Sequence, residues 1–530
     1  MVRDLLFCCR KKGVTQKQCN KDSPLGNPST LRNFHCVLIL ITQQTLFDFE
    51  ALPTTLASAT SPAGYKGLAA FHKYWGKKPI EPLLLLIERL TKQGDTVLDP
   101  FLGGGLLARA AVLKKRRFIG LDINPCAVEL GTLFLDLPSS DEFAEVFAYL
   151  KDKVAAEINS SYLRANASIA SHYLWDDNQL KMVWEKNGRR KIEYSPDDYD
   201  VAGINIYKNY NPKYIRPLTM FQNSRINSRE GMGINDLFTG RALRNIDLLL
   251  ENILPLPEKL RRAFLLTLTS ASGQMSNMVF AISKRGKSNG KSESSRIEVG
   301  SWAIGFWCPK QHFEINCWNC FSNRASRFIK TLRELPAAPP ATLADTVEKF
   351  NETDSSAVLV LDSAMNSLQK IASGSISLIL TDPPHSDRVP YLELSDFWNA
   401  ILQYPVSTFN EEIVISNAKG RGKDAVAYHN DMHTVMKQCV RILQPNGTLC
   451  IQFNTKDGNG WRFLRSPPEG LVYSGCFPLH YSARSLVQDN RKGAMKHDYA
   501  MIYKRSNNSD ISYMLEDIPG WTTEFPKGKI

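Results

Sequence analysis

The stretch GDTVLDPFLGGGLLARAAVLKKRRFIGLDINP, residues 94–125, decides the fold. GDTVLDPF reads as a short buried strand that ends on an acidic residue, with three glycines close behind. LLARAAVLKKR then spaces its apolar residues as a helix does, and RFIGLDINP reads as a second buried strand that again ends on an aspartate. Strand, helix and strand at this spacing make a parallel βαβ unit with a right-handed crossover. Just upstream, EPLLLLIERLTKQ (81–93) repeats apolar residues at helical spacing and predicts a helix leading into the unit.

Downstream the alternation breaks. Residues from about 140 to 345 carry charged hairpin-like strands (LKMVWEKNGRRKIEY), a helix over INDLFTGRALRNIDLLLENI and a polar loop, SKRGKSNGKSESSR (283–296). After the Pro-rich ELPAAPPAT (334–342) it resumes with the strands SAVLVLDS and SISLILTDPP. A helix around 428–443, the strand TLCIQFN and a closing pair near 474–484 and 498–505 follow. The expectation is an α/β chain in which two separated segments, 66–140 and 345–505, build one doubly wound sheet. A mixed α+β segment, 141–344, is looped out of it, between a poorly ordered extension (1–65) and a C-terminal tail (506–530).

The whole composition fits that expectation. The 530 residues are 43% hydrophobic and 22% charged, with 32 Gly and 28 Pro, which excludes collagen-like and wholly disordered chains and allows about two to four domains. No apolar run reaches the roughly 18 residues of a membrane span, FHCVLILIT (34–42) being half that, and the N-terminus lacks the pattern of a secretory signal. Eleven scattered cysteines, an odd number, make a poor disulfide framework and imply a reducing, cytoplasmic setting. A formal charge of +12 favours a polyanionic partner.

Two turns carry chemistry. In DPFLGGG (99–105) the glycines let the backbone bend sharply and approach a ligand at the open edge of the sheet, beside a helix N-terminus. Neither G-x-G-x-x-G nor a phosphate-loop Gly-Lys-Ser/Thr is present. Asp122 ends the next strand, where a carboxylate can accept from ribose hydroxyls or cap a helix. In LILTDPPHSD (378–387) two prolines stiffen a loop that holds Asp382 and backbone carbonyls able to accept from an exocyclic amine, and His385 offers a flat ring for stacking.

DPFLGGG, the strand ending GLDINP and the later TDPPH together resemble the amino-methyltransferases that modify exocyclic nitrogens of adenine or cytosine in DNA. The chain is also similar to a set of bacterial site-specific DNA methylases through FHKYWGKKP (71–79), DLFTGRAL (236–243), FEINCWNCFSNR (313–324) and YLELSDFW (391–398). The resemblance implies a Rossmann-like methyltransferase sheet, S-adenosylmethionine as cofactor, DNA as partner, a restriction endonuclease beside it, and a target-recognition role for the middle segment. Asp99, Phe101, Gly103 and Gly105 would line the cofactor pocket with Asp122 on the ribose, Asp362 near the adenine, and His72 and Trp75 as walls, with Lys73 among them. Asp382, Pro383, Pro384 and His385 would hold the target amine of a base flipped from the duplex. Asp382, in place of the Ser often found in cytosine-directed relatives, favours N6 of adenine.

The chain departs from the family at His385, where Tyr, Phe or Trp is usual, and in LGGG, where CGSG is commoner. A non-catalytic nucleic-acid-binding relative and an RNA-directed methyltransferase are the rival readings. Lys284, Arg285, Lys287 and Lys291 in the polar loop, with Lys419, Arg421 and Lys423 in NAKGRGK, are candidate phosphate contacts. Cys308, His312, Cys317 and Cys320 lack the spacing of a zinc site, so no metal is expected, and Trp302, Trp307 and Trp318 read as core.

Overall fold

Val97 and Leu98 are fully buried, one against each core of the molecule, as an apolar strand covered on both faces requires. They belong to β1 (Thr96–Asp99), which pairs in parallel with β2 (Arg117–Asp122). The computed structural model describes residues 65–526 apart from 189, 283–296, 303–304, 337, 339–340, 386–388, 456–457, 480–496 and 507–511. The 1–65 extension, save Tyr65, therefore lies outside the described residues.

The strands that follow are β3 (Ala170–Asp176), β4 (Gln179–Asn187), β5 (Arg190–Tyr194), β6 (Ala281–Ile282), β7 (Glu298–Val299) and β8 (Gln311–Ile315). Then come β9 (Leu343–Ala344), β10 (Ala357–Leu361), β11 (Ile376–Thr381), β12 (Leu443–Phe453), β13 (Leu471–Leu479) and β14 (Asp498–Arg505). Eight strands form the main sheet in the order β13-β14-β12-β11-β1-β2-β10-β9, parallel from β9 to β12, with β14 antiparallel between β12 and β13. From β1 the chain steps to β2 on one side, and from β10 it jumps back past both to β11 on the other. Strand order thus reverses between β1 and β11, where the carboxyl ends of an open sheet leave a crevice for ligands.

The helices used below are α1 (Ile80–Leu90), α2 (Leu106–Leu113), α3 (Pro125–Leu135), α4 (Ser140–Ser160), α5 (Gly240–Ile253), α6 (Glu258–Met275), α7 (Cys317–Glu334), α8 (Tyr391–Ile401) and α9 (Ala425–Ile442). One helix over 234–253 is expected; Phe238 is extended instead, and the Thr239 side chain accepts from Ala242 N to start α5 afresh.

The middle segment adds a second, antiparallel sheet, β5-β4-β3-β8. Its strands β3 to β8 stay out of the main sheet, yet the segment packs into the same core. Phe143 of α4, Phe264 of α6 and Phe328 of α7 share one core with Phe71, Phe134 and Trp398, because α6 is apolar around most of its length and needs cover on more than one side. The far face of the main sheet is covered by α9 and its neighbours. The C-terminal tail is docked as well: Leu515 and Ile518 are buried, and Thr522 bridges to Cys476 of β13.

Candidate active site at the strand ends

The glycine turn is held by the next strand. Gly103 N donates to Asp122 Oδ2 at 2.7 Å and Leu102 N to Leu121 O at 2.9 Å. Gly103 and Gly105 have φ of +52° and +75°, the left-handed region that suits glycine. The two are needed for different reasons. A Cβ on Gly105 would stand 2.6 Å from the Gly131 Cα, so this glycine lets α2 and α3 touch, whereas one on Gly103 would meet nothing nearer than 3.6 Å.

Two carboxylates stand at the strand ends. Asp99 Oδ1 accepts from Phe101 N at 3.0 Å and from Thr381 Oγ1 at 2.7 Å, tying β1 to β11. Burial pushes its carboxyl up to about 7, against the pull of those hydrogen bonds. Asp122 is pushed by burial to about 6, although Gly103 N and Asn124 N both donate to it.

The Asp-Pro-Pro-His loop leaves β11 beside them. Asp382 Oδ1 is 2.8 Å from His385 Nε2, and its Oδ2 is 3.0 Å from Lys78 Nζ. Lys78 also reaches Asp498 Oδ2 at 2.8 Å. Burial alone would raise the Asp498 carboxyl, but Lys78, His385 and Asn454 together outweigh it and hold it at about 2. Tyr428 of α9 donates to Pro384 O at 2.6 Å, which fixes the loop from the other face.

Between these elements lies a cavity of about 980 Å³, part of it open to solvent. Its walls include Trp75, Asp99, Phe101, Gly103, Gly105, Asp122, Asp382 and Pro384. Trp75 stacks on Trp398 at 4.7 Å, and its buried Nε1 has no partner among the described residues.

Other expected site residues sit elsewhere. His72 is turned into the core, its Nε2 3.0 Å from Thr269 Oγ1, and burial lowers its pKa to about 3. Lys73 donates to Trp302 O instead of the cavity. Asp362 is spent on the helix that follows it, accepting from Ser363 N at 2.8 Å and Ser367 Oγ at 3.0 Å, so that Ser363 and Ala364 line the wall in its place. Pro383 is buried and off the wall. The His385 ring leans on Phe453 at 4.9 Å and is absent from the lining, so it does not present a stacking face there.

Among the candidate phosphate contacts, Arg421 is corrected outright: its guanidinium is buried between Glu393 and Glu412, so it neutralises protein carboxylates and not phosphates. Lys423 is largely covered and 3.6 Å from Asp431, while Lys419 is exposed. Lys284, Arg285, Lys287 and Lys291 lie outside the described residues. Cys317 and Cys320 are buried in α7 and Cys308 is exposed. Trp302 and Trp318 are core residues, whereas Trp307 is 52% exposed and departs from that expectation.

Sequence reasoning missed Lys78, Asp498, Tyr428 and Gln452. Lys78 lay within reach, since KKP closes the same FHKYWGKKP segment that supplied His72 and Trp75. The other three follow no motif and are brought in only by the sheet and α9.

A parallel sheet with a ligand cavity at its reversal point, a glycine turn on one lip and strand-end carboxylates beside it is the plan of a Rossmann-like methyltransferase. Residues 50–132 match the profile of the N6/N4 methyltransferase family, described as DNA methylase. Methyltransferases of this family use S-adenosylmethionine as methyl donor. Over 113 residues the chain is 34% identical to Type II methyltransferase M.BglI of Bacillus subtilis, covering 20% of this chain and 27% of that protein. Over 54 residues it is 44% identical to Type II methyltransferase M2.DpnII of Streptococcus pneumoniae, covering 9% of this chain and 20% of that one. The matches thus span about a quarter of the curated relatives' length or less. Among solved structures, the rRNA methyltransferase AviRa from Streptomyces viridochromogenes overlaps 88% of this chain and 98% of its own, at 9% identity and a TM-score of 0.25.

Proposed function

We propose that the protein methylates an exocyclic amine of a DNA base with S-adenosylmethionine, N6 of adenine being favoured over N4 of cytosine. The observation that carries this reading is the single cavity that has the glycine turn and Asp122 on one side and Asp382 and Pro384 on the other. S-adenosylmethionine supplies an electrophilic methyl group on a sulfonium sulfur. Asp99, Phe101, Gly103, Gly105 and Trp75 wall its place, and the spare lone pairs of Asp122 suit ribose hydroxyls.

Asp382 accepts an N–H of the target amine and draws its nitrogen out of conjugation with the ring. The nitrogen lone pair is thereby left free toward the electrophilic methyl group that bound S-adenosylmethionine would supply. The surplus amine proton passes to Asp382 and on to solvent. Pro384 O already takes the Tyr428 hydroxyl, which leaves Asp382 as the acceptor that the loop offers to the cavity. Asp382 in place of Ser is the reason adenine is favoured.

Residues 66–140 and 345–505 form the catalytic part in this reading, with target recognition in 141–344 and phosphate contact at Lys419. A restriction endonuclease partner and a cytoplasmic setting complete it, and no helix among the described residues is long and apolar enough to cross a membrane.

The test is label transfer from tritiated S-adenosylmethionine to DNA of varied sequence, followed by digestion and identification of the methylated nucleoside. N6-methyl-2′-deoxyadenosine is the expected product. Asp382→Ala should lower transfer on the order of 10²-fold or more with donor affinity unchanged. Binding of both ligands without transfer would point to a non-catalytic relative, and transfer to RNA alone to the other rival.

A further inference from the structure

Gln452 stands at the end of β12, is 1% exposed and lines the cavity, yet neither its Nε2 nor its Oε1 has a partner among the described residues. A buried carboxamide with both ends unsatisfied is costly, and each such group calls for a physical account. Its position is fixed by strand pairing. Thr381 of β11 is in register with Ile451, so Asp382 and Gln452 occupy the next rung at the carboxyl ends of adjacent strands. Ile451 and Phe453 face one core and Cys450 the other, which turns Gln452 to the same side of the sheet as Leu380.

We propose that Gln452 reads the target base, Oε1 accepting one N–H of the exocyclic amine and Nε2 donating to the ring nitrogen beside it. The inference rests on the amino-methyltransferase reading above. Adenine (N6 beside N1) and cytosine (N4 beside N3) both present an amine next to a ring acceptor, and a carboxamide matches that pair. On its Watson–Crick edge guanine's amine stands beside the N1–H, which would face Nε2 donor to donor. Thymine and uracil offer a carbonyl where Oε1 needs a donor. Asp382 takes the second amine N–H, so the two side chains of one rung hold both hydrogens and leave the lone pair to react.

The experiment uses the full chain, tritiated S-adenosylmethionine and genomic DNA amplified in vitro so that it carries no methyl marks. Gln452→Leu keeps the bulk and removes both polar ends: transfer should fall about 10- to 100-fold, with donor affinity by calorimetry and melting temperature native. Gln452→Glu gives a second readout. A protonated carboxyl has one donor and one acceptor, as the amide does, whereas the ionised form has acceptors only. Its rate relative to native protein should therefore rise about 10-fold as pH falls from roughly 8 to 5.5. A merely structural role leaves that ratio flat. Native-like transfer by Gln452→Leu, or a flat ratio for Gln452→Glu, overturns the proposal. Donor affinity lost in step with transfer assigns Gln452 to the donor and overturns it too. No transfer by the native protein sinks the amino-methyltransferase reading, and this inference with it.

Discussion

Asp382 stands between Lys78 at 3.0 Å and His385 at 2.8 Å, so both its oxygens are oriented before any base arrives. The contact His385 makes with Asp382 is through its ring Nε2. The side chain is 11% exposed, its ring lies tilted at 59° to Phe453, and it is not part of the cavity wall. His385→Phe should then lower kcat about 10-fold by freeing Asp382, and His385→Gln, which can still donate, should recover part of it. A Phe variant as active as the native protein would return the ring to a stacking role. Asp122 makes a separate forecast. Its carboxyl is held near 6, so as pH falls through that value it gains a proton and loses its charge toward ribose hydroxyls. S-adenosylmethionine affinity, followed by calorimetry from about pH 5 to 8, should rise with pH and level off near 7; an affinity independent of pH over that range would take Asp122 off the ribose.

At the scale of elements, the segments DLFTGRAL and FEINCWNCFSNR carry no chemistry of their own, yet they meet. Arg241 of α5 and Glu314 of β8, both about 1% exposed, pair at 2.8 Å, and Thr239 Oγ1 reaches the same carboxylate at 3.1 Å. The pair pins the middle segment's helix to its sheet. Glu314→Gln or Arg241→Met leaves one buried group without its counter-charge and should cost about 3–5 kcal/mol in urea unfolding, whereas replacing both with apolar residues costs less. YLELSDFW is likewise structural in part: Glu393 neutralises Arg421, and Ser395 holds the Asn124 amide at 2.9 Å. The βαβ unit, the resumption at SAVLVLDS and the antiparallel close were all legible from apolar runs ending in Asp or in turn residues. The packing of 141–344 was not, because burial of α6 on several sides depends on partners far away in the chain and leaves no periodic mark. The same distance hid Asp498 and Gln452 from the reading of the site, and gave Arg421 the look of a loop cation.

Across the whole molecule the excess of 12 positive charges sets the terms of any meeting with DNA. Lys419, exposed beside the cavity-bearing part of the chain, should contribute one counterion: Lys419→Ala is expected to weaken DNA binding at every sequence and to lower the slope of log K against log salt by about 0.9. Fluorescence anisotropy at several salt concentrations measures it, and an unchanged slope removes Lys419 from the interface. The clamp at Asp382 has a further implication. Lys78 and Asp498 are 420 positions apart, one ahead of the first strand of the main sheet and the other opening its last. A chain emerging from the ribosome therefore presents the glycine turn early but acquires its full clamp only when β14 is released and docks between β12 and β13. The order of synthesis thus makes the partner of Lys78 one of the last parts of this corner of the fold to arrive.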